Sequence, residues 1–374
     1  MTLPPEIPQE LVDLVLDFVS SRKSRRTTER FSTLAACTLV CRCWTRSSRL
    51  HMFYRITLTE ANTGRFHALL ESPHTTIILS AIREIVFKIS RNVDPHLEGV
   101  VKALGTLLTG AKRCWIRSDP QWEPIFELLS GLGTSFPSIQ HLCMHQFMVE
   151  DNFCILPPFI SSFNALKSLE LALFTVSSNT PDLPSSLPPP EMTSLTITNG
   201  KSEMLNWLGG VSPPLLLPTL VLYDTEEEDF LAIAAYLKIA GTAIHSLTLH
   251  IRRQFDGGNY DIFDLGLNTG LRYLELVVLV DDAIPALVAI LGTVRAEGLE
   301  EIKMIIRGRL DDLENCPWDD LDRALESSLL RSVRRFRVRR AKTRDSMPMD
   351  CRKTWRMRQI KERLPFSYAR GVLA

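Results

Sequence analysis

Long apolar runs, net charge and paired cysteines are all missing from this 374-residue sequence. No segment reaches the roughly 18 uninterrupted apolar residues of a membrane span. The nearest, Leu274 to Leu291, is broken by Glu275, Asp281, Asp282 and Pro285. The first residues carry Glu6, Glu10, Asp13 and Asp17 where a secretory leader has basic and then apolar residues, so no leader and no membrane partner are expected. Lysine plus arginine (43) balance aspartate plus glutamate (43). That balance excludes a globally basic nucleic-acid coat protein but leaves room for a local basic patch. The eight cysteines contain no Cys-x-x-Cys and no paired framework. They suit mostly buried thiols in a reducing interior, so the expected location is intracellular, cytoplasmic or nuclear.

Signatures of catalysis are missing as well. There is no phosphate-cradling glycine loop, no His-Glu-x-x-His and no Gly-x-Ser-x-Gly. The acidic runs at 226–229 and 319–322 read as first turns of helices, and Asp256-Gly257-Gly258-Asn259 as a turn. No enzyme and no cofactor are expected. The composition itself, 45% hydrophobic and 23% charged, is that of a globular chain able to bury a sizeable core.

What the sequence has is a repeat. An apolar residue, two variable ones, an apolar one, a variable one and an apolar one recur eleven times, at intervals of 25 to 34 residues. The triplets run from Phe53, Ile56, Leu58 and Ile82, Ile85, Phe87 to Leu299, Ile302, Met304 and Val333, Phe336, Val338. Chance would scatter the intervals. The pattern resembles the leucine-rich repeat, whose Leu-x-x-Leu-x-Leu stretch lies on a short strand, with room in each period for a helix outside. The spacers agree: Asp94 to Thr109 carries a helical apolar stripe, and Thr225 to Ala240 opens on an N-cap followed by acidic residues. Asp282 to Arg295 reads the same way, and Asp311 to Leu330 holds one long helix or two short ones. Ser177 to Glu191, with five prolines, reads as an irregular loop. The family's usual asparagine after the strand is mostly absent, so the solenoid is expected to be irregular.

Residues 1–50 lack the repeat. Leu11, Leu14, Val15, Phe18 and Val19 share one helical face, with Pro8 at the first turn. Ser20 to Arg30 reads as a polar, basic loop, and Leu34, Cys37, Val40, Cys41 and Trp44 form a second helical face. The expectation is a small two-helix hairpin. Ile7-Pro8-Gln9-Glu10-Leu11 at its start and Leu39-Val40-Cys41-Arg42-Cys43-Trp44 at its end resemble an F-box of the fungal type. That resemblance implies docking on a Skp-type adaptor, which links such modules to a cullin–RING (SCF-type) ubiquitin ligase while the repeats hold a protein substrate. By position it implies that Pro8, Leu11, Val15, Val40, Cys41 and Trp44 form the adaptor interface. Intramolecular core is the rival reading for Leu11, Val15 and Cys37.

Side chains alternate along a strand. The residues between the apolar positions should therefore line the open, concave face of the sheet, where a substrate would lie. Trp115 between Arg113 and Arg117, with His141 and His145 on the next strand, makes a cationic patch there, and Tyr223 and Tyr273 add aromatic contacts. The patch reads either as a solvated sheet face or as a grip on an acidic or phosphorylated segment. His141, Cys143 and His145 alternate on one strand, but no fourth ligand accompanies them, so no metal is expected.

From Arg331 to Arg363 there are 14 Lys/Arg against three Asp/Glu. The basic segment reads as an edge that meets acidic surface or solvent; phosphate or nucleic-acid contact is its alternative, and nucleic acid is not the expected partner. Thr354 to Leu364 is expected to be a helix capping the open end. The expected fold is α/β: an N-terminal helical F-box (1–50), an irregular leucine-rich-repeat solenoid with a parallel sheet on the concave face and helices outside (51–340), and a basic cap or tail (341–374). The expected function is substrate selection for a ubiquitin ligase. The alternative is a repeat scaffold for protein–protein interaction without ubiquitin transfer.

Overall fold

The computed structural model describes residues 8–21, 27–73, 77, 79–89, 97–118, 131–146, 148–149, 153–172, 175–176, 186–251, 262–279, 283–307, 317–326, 330, 332–340, 363–369 and 371. The chain divides into two compact units, Met1–Met148 with Pro158–Leu166, and Val149–Pro157 with Lys167–Ala374.

The first unit opens with three helices, not a hairpin of two: α1 (Gln9–Ser21), α2 (Thr27–Cys37) and α3 (Arg42–Phe53). Of the stretch read as a loop, Ser20 and Ser21 end α1 and Thr27 to Arg30 open α2, whose first turn carries Glu29; residues 22–26 lie outside the described residues. The face read as one helix from Leu34 to Trp44 is split. The Thr38 hydroxyl donates back to the Ala35 carbonyl at 2.6 Å, and the Thr45 hydroxyl donates to the Thr38 carbonyl at 2.7 Å. Such side-chain bonds compete with the helical ladder and turn the chain.

Four strands follow in the first unit: β1 (Arg55–Thr59), β2 (Glu84–Ile89), β3 (Arg113–Ser118) and β4 (His141–His145), with α4 (Glu60–Glu71) and α5 (Leu97–Leu107) between them. They pair in parallel and in chain order, with Ile56 opposite Ile85, Ile85 opposite Cys114, and Cys114 opposite Leu142. One triplet position therefore stacks on the same position of the next coil.

The second unit repeats the rule through strands Ser168–Ala172, Ser194–Ile197, Thr219–Thr225, Ser246–Ile251, Tyr273–Leu279, Glu301–Arg307 and Arg335–Arg340. Leu169, Leu195, Leu220, Leu247, Leu274, Ile302 and Phe336 form one continuous row across them. Each of these seven side chains is at most 1% exposed. Parallel strands joined by crossovers of 20-odd residues bury one face under helices. Lys201–Gly210 packs on Phe230–Ala240, and Ala283–Thr293 on Trp318–Glu326. Both units are leucine-rich-repeat-like solenoid.

The spacers with an apolar stripe hold helices, Leu97–Leu107, Ala283–Thr293 and Trp318–Glu326. Thr225, read as an N-cap, ends a strand instead, and a Glu226/Asp229 capping box closes the short turn before Phe230–Ala240. The loop read over Ser177 to Glu191 lies mostly outside the described residues. In place of an asparagine ladder, scattered polar clamps join adjacent coils. Asn268 Nδ2 donates to the Leu237 and Gly241 carbonyls, both at 2.9 Å, and the Ser138 hydroxyl is 2.8 Å from both the Thr109 and Ala111 carbonyls. Gly270 permits a close approach: a side chain there would lie 2.0 Å from the Thr242 carbonyl oxygen. The helix expected over Thr354 to Leu364 lies almost wholly outside the described residues. A short helix, Pro365–Ala369, follows it, with Leu364 buried. There the Ser367 hydroxyl and N–H both reach Asp322 Oδ1, at 2.6 and 3.0 Å.

Candidate functional site

Two surfaces of the first unit carry the sequence-predicted residues. The helical module has a minimal interior of Val12, Leu16 and Leu34, with Val19, Cys37, Trp44 and Met52 packed against it. Gln9 Nε2 ties α1 to α3 through Ser47 Oγ at 2.9 Å. Hydrogen bonds from Ser47 and then Gln9 hold the Asp13 carboxyl below its usual range.

Among the predicted adaptor residues, Leu11, Val15, Val40 and Cys41 are exposed, as is Pro8, whose carbonyl accepts from the Leu11 N–H at 3.0 Å. Trp44 is half-buried against the module's interior, and so is Cys37, which follows the intramolecular reading. Leu11, Leu14, Val15 and Phe18 sit on the outer face of α1 at 46–65% exposure, and Leu39 in the α2–α3 turn reaches 86%. Val12 and Leu16, on the other side of α1, are the residues turned inward. Leu14, Phe18 and Leu39 join the surface although the resemblance did not assign them to it.

The second surface is the open side of the sheet. Register places Arg113 opposite His141, Trp115 opposite Cys143, and Arg117 opposite His145, so the five predicted residues of β3 and β4 do come together. The Trp115 ring stacks on His145, with centroids 5.4 Å apart and planes at 13°, and the Arg55 guanidinium lies 5.6 Å from the Trp115 ring centroid. The buried Trp115 Nε1 has no hydrogen-bond partner among the described residues. The patch is less cationic than the sequence suggested. Glu84 on β2 stands 3.0 Å from Arg113 and 4.0 Å from Arg55, neutralising part of both. Arg117 remains exposed, while the Cys114 thiol beneath is pushed up by burial and then by Cys143. Arg55 was the residue missed; alternation about Ile56 and Leu58 would have placed it on this face.

In the second unit Tyr223 and Tyr273 also lie on the open side, in different rows. Tyr223 meets His250 edge-on at 4.2 Å. Burial raises the Tyr223 hydroxyl, helped by the charges of Glu275 and Glu170. The Tyr273 hydroxyl donates to Glu275 Oε2 at 2.5 Å, and Lys303 Nζ reaches the same oxygen at 2.8 Å. Burial pulls Glu275 upward, but the bonds from Lys303 and Tyr273 outweigh it and its carboxyl ends below the usual range. Glu301 pairs with Arg337 at 3.4 Å. This face spends its charges internally.

Among the described residues no group of three or more His, Cys, Asp or Glu could hold a metal ion, and no helix is long and apolar enough to cross a membrane.

No family model matches the sequence, and no curated protein matches it. Solved structures do show similarity. A Bacteroides fragilis protein is 13% identical with a TM-score of 0.37, over 79% of this chain and 75% of that one. The yeast Rad7–Elc1 complex contains a chain 12% identical with a TM-score of 0.39, over 88% of this chain and 81% of that one. At such distance neither likeness bears on function, and the repeat is established by its own strand register.

Proposed function

We propose that this chain is a non-enzymatic adaptor that selects a protein substrate for a cullin–RING ubiquitin ligase. The helical module docks a Skp-type adaptor through Leu11, Val15, Val40 and their exposed neighbours, and the open sheet faces hold the substrate. The observation that carries this reading is the module's inversion. Its interior rests on three fully buried apolar side chains, while more large apolar residues are exposed there than in any other stretch of that length among the described residues. A surface of that kind is stable in water when a partner covers it. The F-box-like residues favour a Skp-type adaptor as that partner. Catalysis is then left to another subunit, and this chain contributes proximity.

The test is co-purification of the full chain with a Skp-type adaptor. Wild type should retain the adaptor, and Leu11→Glu with Val40→Glu should abolish retention without moving the unfolding midpoint, since both positions are exposed. Retention by the double variant would remove the reading and favour a repeat scaffold outside ubiquitin transfer. For the substrate, Arg117→Glu and Trp115→Ala should each weaken capture if β3 and β4 supply the grip.

A further inference from the structure

The first strand of the first unit has an edge turned away from β2, and a groove runs beside it. The Tyr54 carbonyl accepts from the Glu84 N–H at 3.0 Å. Bonding groups alternate along a parallel strand, so Ile56 and Leu58 continue toward β2 while the backbone groups of Arg55, Thr57 and Thr59 point the other way. One side chain deals with two of them. Asn62 Nδ2 donates to the Thr57 carbonyl at 3.0 Å, and Asn62 Oδ1 accepts from the Thr59 N–H at 2.7 Å. The Arg55 carbonyl and the Thr57 N–H are left, and no described residue bonds them.

A groove of about 710 Å³ opens beside these two groups. Phe31 of α2, Met52 and Phe53 of α3, and Phe66 and Leu69 of α4 give it apolar walls. Its charged lining is Arg55 and Arg65, with no acidic side chain.

We propose that β1 and this groove take a short extended segment of a partner protein, acidic and apolar in alternation, laid alongside β1 as an added parallel strand. The two remaining backbone groups are the pair that a single residue of a parallel strand bonds: its N–H to the Arg55 carbonyl, its carbonyl from the Thr57 N–H. Alternate side chains of such a strand point to opposite sides. One set packs on the apolar walls, and the other set, if acidic, lies on the Arg55 side of β1, with Arg65 of α4 adding to the positive charge of the site. Asn62 closes the edge one residue further on, which keeps the added strand short. This site shares only Arg55 with the Trp115 patch and does not use the outer face of α1, so it stands whether or not the module docks a Skp-type adaptor.

The experiment measures fluorescence anisotropy of labelled synthetic peptides of about six residues, one strand's length, added to the full chain. One pool alternates Asp with Val or Leu, and the other alternates Lys with the same apolar residues. The acidic pool should bind at least about tenfold more tightly than the basic pool. Backbone N-methylation at one alternate set of peptide positions should cost about tenfold, and at the other set nothing. Leu69→Asp and Arg65→Glu, both on exposed side chains, should each weaken binding, and bound peptide should slow hydrogen exchange at the Thr57 amide. Absence of binding, equal binding of the two pools, indifference to Leu69→Asp, or indifference to N-methylation at both sets would each overturn the proposal.

Discussion

The helical module and the parallel rows of the second unit use apolar side chains in opposite ways. In the second unit the strand residues of every triplet from Leu169 to Met304 are buried, each stacked on its counterpart one coil away. In the module, Val12, Leu16 and Leu34 go inward while Leu11, Leu14, Val15, Phe18, Leu39 and Val40 face water. The rows satisfy themselves by repetition. The module cannot, because three short helices enclose too little volume. Apolar content alone therefore says little about what a segment does; the direction in which it points separates a framework from a docking surface.

The sharpest way to break this contrast is to truncate one residue of each kind. Leu274→Ala removes a fully buried member of the longest row and should cost about 2–5 kcal/mol in chemical denaturation; a cost near zero would mean the row is not continuous. Next comes the C-terminal latch. Asp322→Ala should cost about 1–3 kcal/mol, because it leaves the Ser367 hydroxyl and N–H without their acceptor. Asp322→Asn should recover part of that. At the other extreme, Leu14→Ser on the outer face of α1 should change stability by less than about 0.5 kcal/mol. A large loss there would mean that α1 is turned the other way.

The pH response is the smallest expected effect and compares the two open faces. Glu275 is held below the ordinary value of 4.5 by Lys303 and Tyr273. A carboxyl depressed in the fold binds fewer protons there than when unfolded. Its contribution is therefore present above that ordinary value and is lost as pH falls through the lower, folded value. Acid unfolding followed in wild type and Glu275→Gln should show a shallower acid limb in the variant; an unchanged limb would mean that the carboxylate is not held in the fold.

The strands were legible in the sequence because a parallel coil pairs residue with residue, so one pattern at a steady interval places all eleven. The open-face residues followed from alternation. What was illegible depended on three-dimensional choice. α1 has apolar residues on two sides, and periodicity alone could not say whether Val12 and Leu16 or Leu11 and Val15 turn inward. The break at Thr38 depends on hydroxyl-to-carbonyl bonds, which have no periodicity. Glu84 was visible as a surface position, but its pairing with Arg55 and Arg113 belongs to the register of three strands. The Asp322–Ser367 latch joins residues 45 apart, with no motif in between.

Because successive coils of the second unit join neighbour to neighbour in chain order, its resistance to pulling is also arranged in series. A tether on the C-terminal end would first detach the small terminal helix from Asp322, then strip strands one at a time, lengthening the chain by one period per rupture. A single-molecule force trace should be a staircase of near-equal steps, preceded by rupture of the latch.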